Sequence, residues 1–70
     1  MSYNGWSNRE TWNIALWIQN NEYYYATAKK CEDYETFKRV VSDEETLDGV
    51  RWEDALVNIE EINTEVINEL

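Results

Sequence analysis

A chain with one cysteine, Cys31, and no histidine can build neither an internal disulfide nor a zinc finger. At 70 residues it must therefore fold by packing alone, at a length that buries only about 60% of the unfolded surface. The material for a core is its rings: 4 Trp, 5 Tyr and 1 Phe within a hydrophobic fraction of 43%. An acidic disordered tail lacks such content. The same absences remove zinc deaminase chemistry and a Cys–His nucleophile from consideration. No run of about 18 apolar residues is present, and the first residues lack a basic-then-apolar leader pattern, so a cytoplasmic location is expected.

Pro is absent, and Gly5 and Gly49 are the strongest breaks in the pattern. Residues 1–6 read as an irregular lead-in whose Tyr3 and Trp6 pack back on the domain. Ser7 with Glu10 has the spacing of a capping box, which predicts a helix over residues 8–20. Trp12, Ile14, Ala15, Leu16, Trp17 and Ile18 give that helix so wide an apolar arc that it is expected to be central. Asn20-Asn21 interrupts the pattern, and either Asn can cap a second helix over residues 22–31. Tyr34, Phe37, Val40 and Val41 predict a third helix over residues 33–41, capped by Asp33 or continuous with the second.

Residues 42–57 read as an acidic connection with a Leu47-Asp48-Gly49-Val50 turn, pinned to the core by Trp52, Leu56 and Val57. Asn58 and Glu61 repeat the capping logic before a C-terminal helix over residues 59–70, with Ile59, Ile62, Val66, Ile67 and Leu70 inward. The expected fold is all-α: residues 1–70 as one small domain of three to four short helices.

The formal net charge is −9, and it is segregated. In residues 1–42 the acids Glu10, Glu22, Glu32, Asp33 and Glu35 are balanced by Arg9, Lys29, Lys30, Lys38 and Arg39. In residues 43–70 the acids Asp43, Glu44, Glu45, Asp48, Glu53, Asp54, Glu60, Glu61, Glu65 and Glu69 face Arg51 alone. A neutral aromatic half thus carries an acidic lobe, which marks a candidate interaction surface. Direct binding to nucleic acid or an anionic membrane is disfavoured, because phosphates attract Lys and Arg. Crowding within the lobe predicts carboxylate pKa values raised in the fold, and so stability that increases as pH falls from about 7 to about 5.

The run from Gly5-Trp6-Ser7-Asn8-Arg9-Glu10-Thr11-Trp12-Asn13 through Ala15-Leu16-Trp17-Ile18 to Asn20-Asn21-Glu22 resembles the opening of a family of small uncharacterised bacterial and phage proteins. The later Asp48-Gly49-Val50-Arg51-Trp52 resembles that family's second motif, whereas the Tyr23-Tyr24-Tyr25 run departs from it. The resemblance implies a compact cytosolic protein, often phage-encoded, and carries no activity and no catalytic residues.

Several groups are candidates for chemistry. Asn8 and Arg9 at a helix start suit a carboxylate or phosphate of a partner, or a cap with Arg9 paired to an acid of the lobe. A calcium loop with Gly49 at its sixth position places Glu44, Thr46, Asp48 and Ala55 at the first, third, fifth and twelfth. Ala55 cannot supply the bidentate carboxylate, so no metal is expected. Glu60-Glu61 and Glu53-Asp54 are adjacent acids with no nucleophile or ligand cluster beside them, so catalysis and cofactors are not expected.

Glu61, Glu65 and Glu69 recur every four residues, about 6 Å apart on a helix, supported by Asp43, Glu44, Glu45, Glu53 and Asp54. Duplex DNA carries about one charge per 1.7 Å, so such a lobe can imitate it. The expectation is a non-enzymatic acidic protein occupying a basic surface of a host protein, such as RNA polymerase, a nuclease or a defence complex, as inhibitor or DNA mimic. The alternative is a scaffolding or dimerisation module, monomer or weak homodimer, that makes contact through exposed rings of Tyr23, Tyr24 and Tyr25. A solvated, solubilising face accounts for the acids equally simply, and Cys31 reads as a small buried hydrophobe.

Overall fold

The computed structural model describes residues 5–70. The pairing of Tyr3 with the domain lies outside them. Four helices follow in order: α1 Arg9–Asn20, α2 Glu22–Lys29, α3 Tyr34–Val40 and α4 Ile59–Glu65, with a closing 3-10 turn Ile67–Glu69. No named strand occurs among the described residues, and the domain is all-α. An isolated antiparallel bridge joins Glu45 to Arg51 across the turn in the acidic connection.

Short polar side chains set the boundaries. Asn21 serves both helices it separates: its N–H donates to the Trp17 carbonyl at 2.9 Å and closes α1. Its Oδ1 accepts from the N–H groups of Tyr23 and Tyr24 at 2.9 and 3.2 Å and opens α2. α2 ends at Lys29, so Cys31 lies beyond it and is half-buried. Asp33 caps α3 through the Thr36 N–H, which makes the 22–41 stretch two helices. A second orphan donor of α3, the Tyr34 N–H, donates to Asn63 Oδ1 of α4 at 2.7 Å.

α1 starts differently from the expectation. Its cap is Asn8, whose Oδ1 accepts from the Thr11 N–H at 2.8 Å while its Nδ2 donates to the Leu56 carbonyl at 2.6 Å. An Asn can do both at once because it carries a donor and an acceptor. The proposed partner of Ser7, Glu10, is replaced by Glu61 of α4, whose Oε1 accepts from the Ser7 N–H at 3.0 Å. Asn58 caps α4 through the Glu61 N–H as expected. Its own N–H donates to Thr11 Oγ1 at 2.8 Å, and its Nδ2 donates to Ser7 Oγ at 3.0 Å. The starts of α1 and α4 are thus joined by direct hydrogen bonds.

The core gathers Ile14, Ala15 and Ile18 of α1, Tyr24 and Ala28 of α2, Tyr34 and Phe37 of α3, and Ile62 of α4. Val41, Val50, Trp52, Val57, Val66 and Ile67 complete it, and Trp6 packs against it. Trp52, 2% exposed, is the hub: its ring lies 5.0 Å from that of Tyr24 and 5.1 Å from that of Phe37, both edge-on. Its carbonyl accepts from the Tyr34 hydroxyl at 2.6 Å.

Three apolar expectations are corrected. Leu56 does not pin the connection: its side chain is exposed, and its carbonyl makes the contact with Asn8. Val40 is exposed because Val41, not Val40, turns inward where α3 ends. Leu16 lies at the outer edge of the α1 arc, while Thr11 and Asn13 are buried within it. The C-terminal helix is also shorter than residues 59–70. Val66 is the C-cap at φ −119° and ψ −66°, its N–H donating to the Ile62 carbonyl, and Val66 and the following Ile67 are both buried.

Candidate functional site

Four acids of the lobe are used inside the molecule. Asp48 Oδ2 accepts from Asn13 Nδ2 at 2.8 Å and from Trp17 Nε1 at 2.9 Å, two α1 side chains one turn apart. Thr46 extends this latch, its hydroxyl donating to Asn13 Oδ1 at 2.8 Å and accepting from the Asp48 and Val50 N–H groups. The turn itself requires Gly49, whose φ is +89°. Asp43 Oδ2 accepts from the Tyr24 hydroxyl at 2.7 Å. Burial, then that bond, push the Tyr24 pKa up to about 12. Asp54 accepts from the Leu56 N–H, and Glu61 from the Ser7 N–H.

The latch was not anticipated from the residue pattern. Its signal was present as two polar residues, Thr11 and Asn13, inside an otherwise apolar helix arc. A buried amide needs partners, and here they come from residues 46 and 48.

At Asp48 the shift is opposite in sign to the one expected from crowding. The Thr36 N–H bond holds Asp33 below its ordinary value of 3.8, and the bonds from Asn13 and Trp17, helped by Arg9, do the same for Asp48. Lowered folded values stabilise the fold above the unfolded pKa, and that stability is lost as pH falls through the folded values. The melting temperature is therefore expected to stay level from about pH 7 to about pH 5 and to fall below about pH 4. Calorimetry over that range checks it, and a steady rise toward pH 5 would restore the crowding picture.

The remaining lobe acids, Glu44, Glu45, Glu53, Glu60, Glu65 and Glu69, are exposed. Their surroundings separate most of them into three regions, one of them an open hollow of about 580 Å³ lined by Ser42, Asp43, Glu44, Glu45, Thr46 and Leu47. A cleft of about 230 Å³ is lined by Asp43, Glu44 and Glu53 but also by Lys38 and Arg51, so its charge is mixed. On α4 two adjoining hollows share Glu61 and Glu65. One, of about 330 Å³, is lined by Gly5, Trp6, Glu61 and Glu65. The other, of about 320 Å³, adds Asn58, Glu60 and Thr64. Among the described residues, no basic side chain lines either of them. Glu69 falls in the 3-10 turn beyond the break at Val66, so the four-residue recurrence of Glu61 and Glu65 does not carry through to it.

The secondary candidates are also placed. Arg9 is exposed and acts on Asp48 without a direct ion pair. Tyr24 is buried, whereas Tyr23 and Tyr25 are exposed. The Tyr23 hydroxyl lies 2.7 Å from Ser42 Oγ and accepts from the Ser42 N–H at 3.1 Å, and the Lys29 ammonium lies over the Tyr25 ring at 5.7 Å. Among the described residues no group of three acids or cysteines is placed to hold a metal ion, and no helix is long and apolar enough to cross a membrane.

In comparison with known proteins, the model of DUF7249, a family of unknown function, aligns with residues 1–70. Membership of an uncharacterised family agrees with the resemblance carried by the two sequence motifs. No curated protein and no solved structure matches the chain.

Proposed function

We propose that this chain, which belongs to the DUF7249 family of unknown function, is a non-enzymatic acidic binding protein. It occupies a basic, nucleic-acid-binding surface of another protein, such as RNA polymerase, a nuclease or a defence complex, as an inhibitor or DNA mimic in the cytoplasm of a bacterial or phage-infected cell. The observation that supports this reading is the α4 face. Glu60, Glu61 and Glu65 line two adjoining hollows into which no described basic side chain reaches. Elsewhere Asp48 and Asp43 are latched inward and Glu44 and Glu53 share a cleft with Lys38 and Arg51, although Glu44 and Glu45 also line an open hollow that no described basic side chain lines. Carboxylates gathered on one face without a basic neighbour steer a basic partner and pair with it.

The contact set is therefore Glu60, Glu61 and Glu65, with Glu44, Glu45, Glu53 and Glu69 as the outer charges. Asp43, Asp54 and Glu61 each accept a bond within the chain, and Glu61 is kept because it also lines both α4 hollows. The test is affinity capture from a bacterial lysate with the wild-type chain and with a Glu60→Gln/Glu65→Gln double variant. The expected result is a nucleic-acid-binding protein that duplex DNA displaces, that salt of about 0.5 M releases, and that the double variant fails to hold. A captured protein indifferent to salt, DNA and the double variant overturns the proposal. The aromatic alternative draws on the exposed rings of Tyr23 and Tyr25, and sedimentation showing self-association lost on Tyr25→Ala would favour it instead.

A further inference from the structure

We infer that the hollow between Trp6 and the outward edge of α4 receives a guanidinium group, an arginine side chain of the basic partner. The inference rests on the reading of the α4 face as the contact surface, and it names the chemistry of that contact.

Glu61 and Glu65 stand one helical turn apart, which sets their side chains about 6 Å from one another on one face. Glu61 is held in place, since its Oε1 accepts from the Ser7 N–H at 3.0 Å, and its second oxygen keeps its lone pairs. Glu65 is exposed, and its carboxylate makes no hydrogen bond or ion pair to another described residue. Trp6, half-buried and packed against the core, lines the same hollow and supplies its aromatic component.

Two carboxylates alone accept any cation. The aromatic wall makes the choice. A guanidinium is planar and weakly hydrated, so it stacks on an indole face while its N–H fork reaches carboxylates at its edge. A lysine ammonium is a compact, strongly hydrated charge and gains less from the ring. A divalent metal ion prefers a closed shell of oxygens, and the described residues that line this hollow offer two carboxylates and an indole.

The experiment is an NMR titration of the full-length, isotope-labelled chain with two blocked peptides, one carrying three arginines spaced by glycine and the other three lysines. At low salt the arginine peptide is expected to bind about two- to fivefold more tightly than the lysine peptide. It should shift the Trp6 indole signal together with the Glu61 and Glu65 amides. Glu65→Gln, at an exposed position, should weaken arginine-peptide binding several-fold with the rest of the spectrum unchanged. Trp6→Phe should reduce the preference over lysine. Equal binding of the two peptides overturns the arginine assignment while leaving the acidic-surface reading intact, and so do shifts centred on Glu44 and Glu53. Binding of neither peptide at low salt overturns the hollow as a cation receptor, even where lysate capture succeeds.

Discussion

Trp52→Ala is expected to leave the chain largely unfolded at room temperature. Removing a fully buried large aromatic costs about 3–5 kcal/mol, and a domain of this size has few kcal/mol of net stability to lose. Trp52 is 2% exposed and edge-on to both Tyr24 and Phe37, so the side chain bridges α2 and α3 to the acidic connection. Its backbone is equally engaged, with its N–H donating to the Glu44 carbonyl and its carbonyl accepting from the Tyr34 hydroxyl. Nε1 has no hydrogen-bond partner among the described residues. Trp52→Phe therefore breaks no hydrogen bond and is expected to cost about 1–2 kcal/mol. Urea denaturation followed by circular dichroism separates the two variants. An Ala variant that melts within a few degrees of the wild type contradicts the role of Trp52 as the hub.

The role of Trp52 as a pin was legible in the sequence because an aromatic residue in a polar, acidic stretch has few reasons to be there except burial. Helix existence was legible for a similar reason: Ile14, Ala15 and Ile18, or Tyr34 and Phe37, recur at helical spacing, and Asn21, Asp33 and Asn58 are good caps in the right places. The errors share one physical origin. Local patterns say what a residue can satisfy nearby, whereas Ser7 found its partner 54 positions away in Glu61. Leu56 likewise contributes through its carbonyl, which no hydrophobic pattern registers. At Val66 the apolar period continued, but the α-helix ended there and Ile67–Glu69 form a 3-10 turn with Val66 and Ile67 both buried.

The acidic lobe shows the same limit. Counting charges located it, and counting could not tell a carboxylate that holds the fold from one that faces outward. Asp43, Asp48, Asp54 and Glu61 accept hydrogen bonds within the chain. Glu61 does both, holding Ser7 while lining the α4 hollows beside Glu60 and Glu65. The motif residues divide similarly. Ser7, Asn8, Thr11, Asn13 and Trp17 from the opening meet Asp48 of the second motif and the start of α4. The two stretches that carried the family resemblance are hydrogen-bonded to each other in the fold.

Asn13→Ala is expected to lower stability by about 2–4 kcal/mol, which for a chain this short is a fall in melting temperature of about 10–25 °C. Asn13 is 1% exposed and sits between two partners, donating to Asp48 and accepting from Thr46. Truncating it leaves the buried Thr46 hydroxyl without its acceptor and Asp48 with Trp17 alone, so the cost of unmade hydrogen bonds adds to that of the cavity. Asp48→Asn separates charge from hydrogen bonding. An amide oxygen still accepts from both α1 side chains, so its cost should be under about 1 kcal/mol, whereas Asp48→Ala should approach that of Asn13→Ala. The double variant Asn13→Ala/Asp48→Ala should cost less than the sum of the two singles, because the shared bond is lost only once. Full additivity in thermal melts would mean that the connection and α1 are not latched. In that case the acidic turn at residues 46–50 would be held by Val50 and Trp52 packing alone.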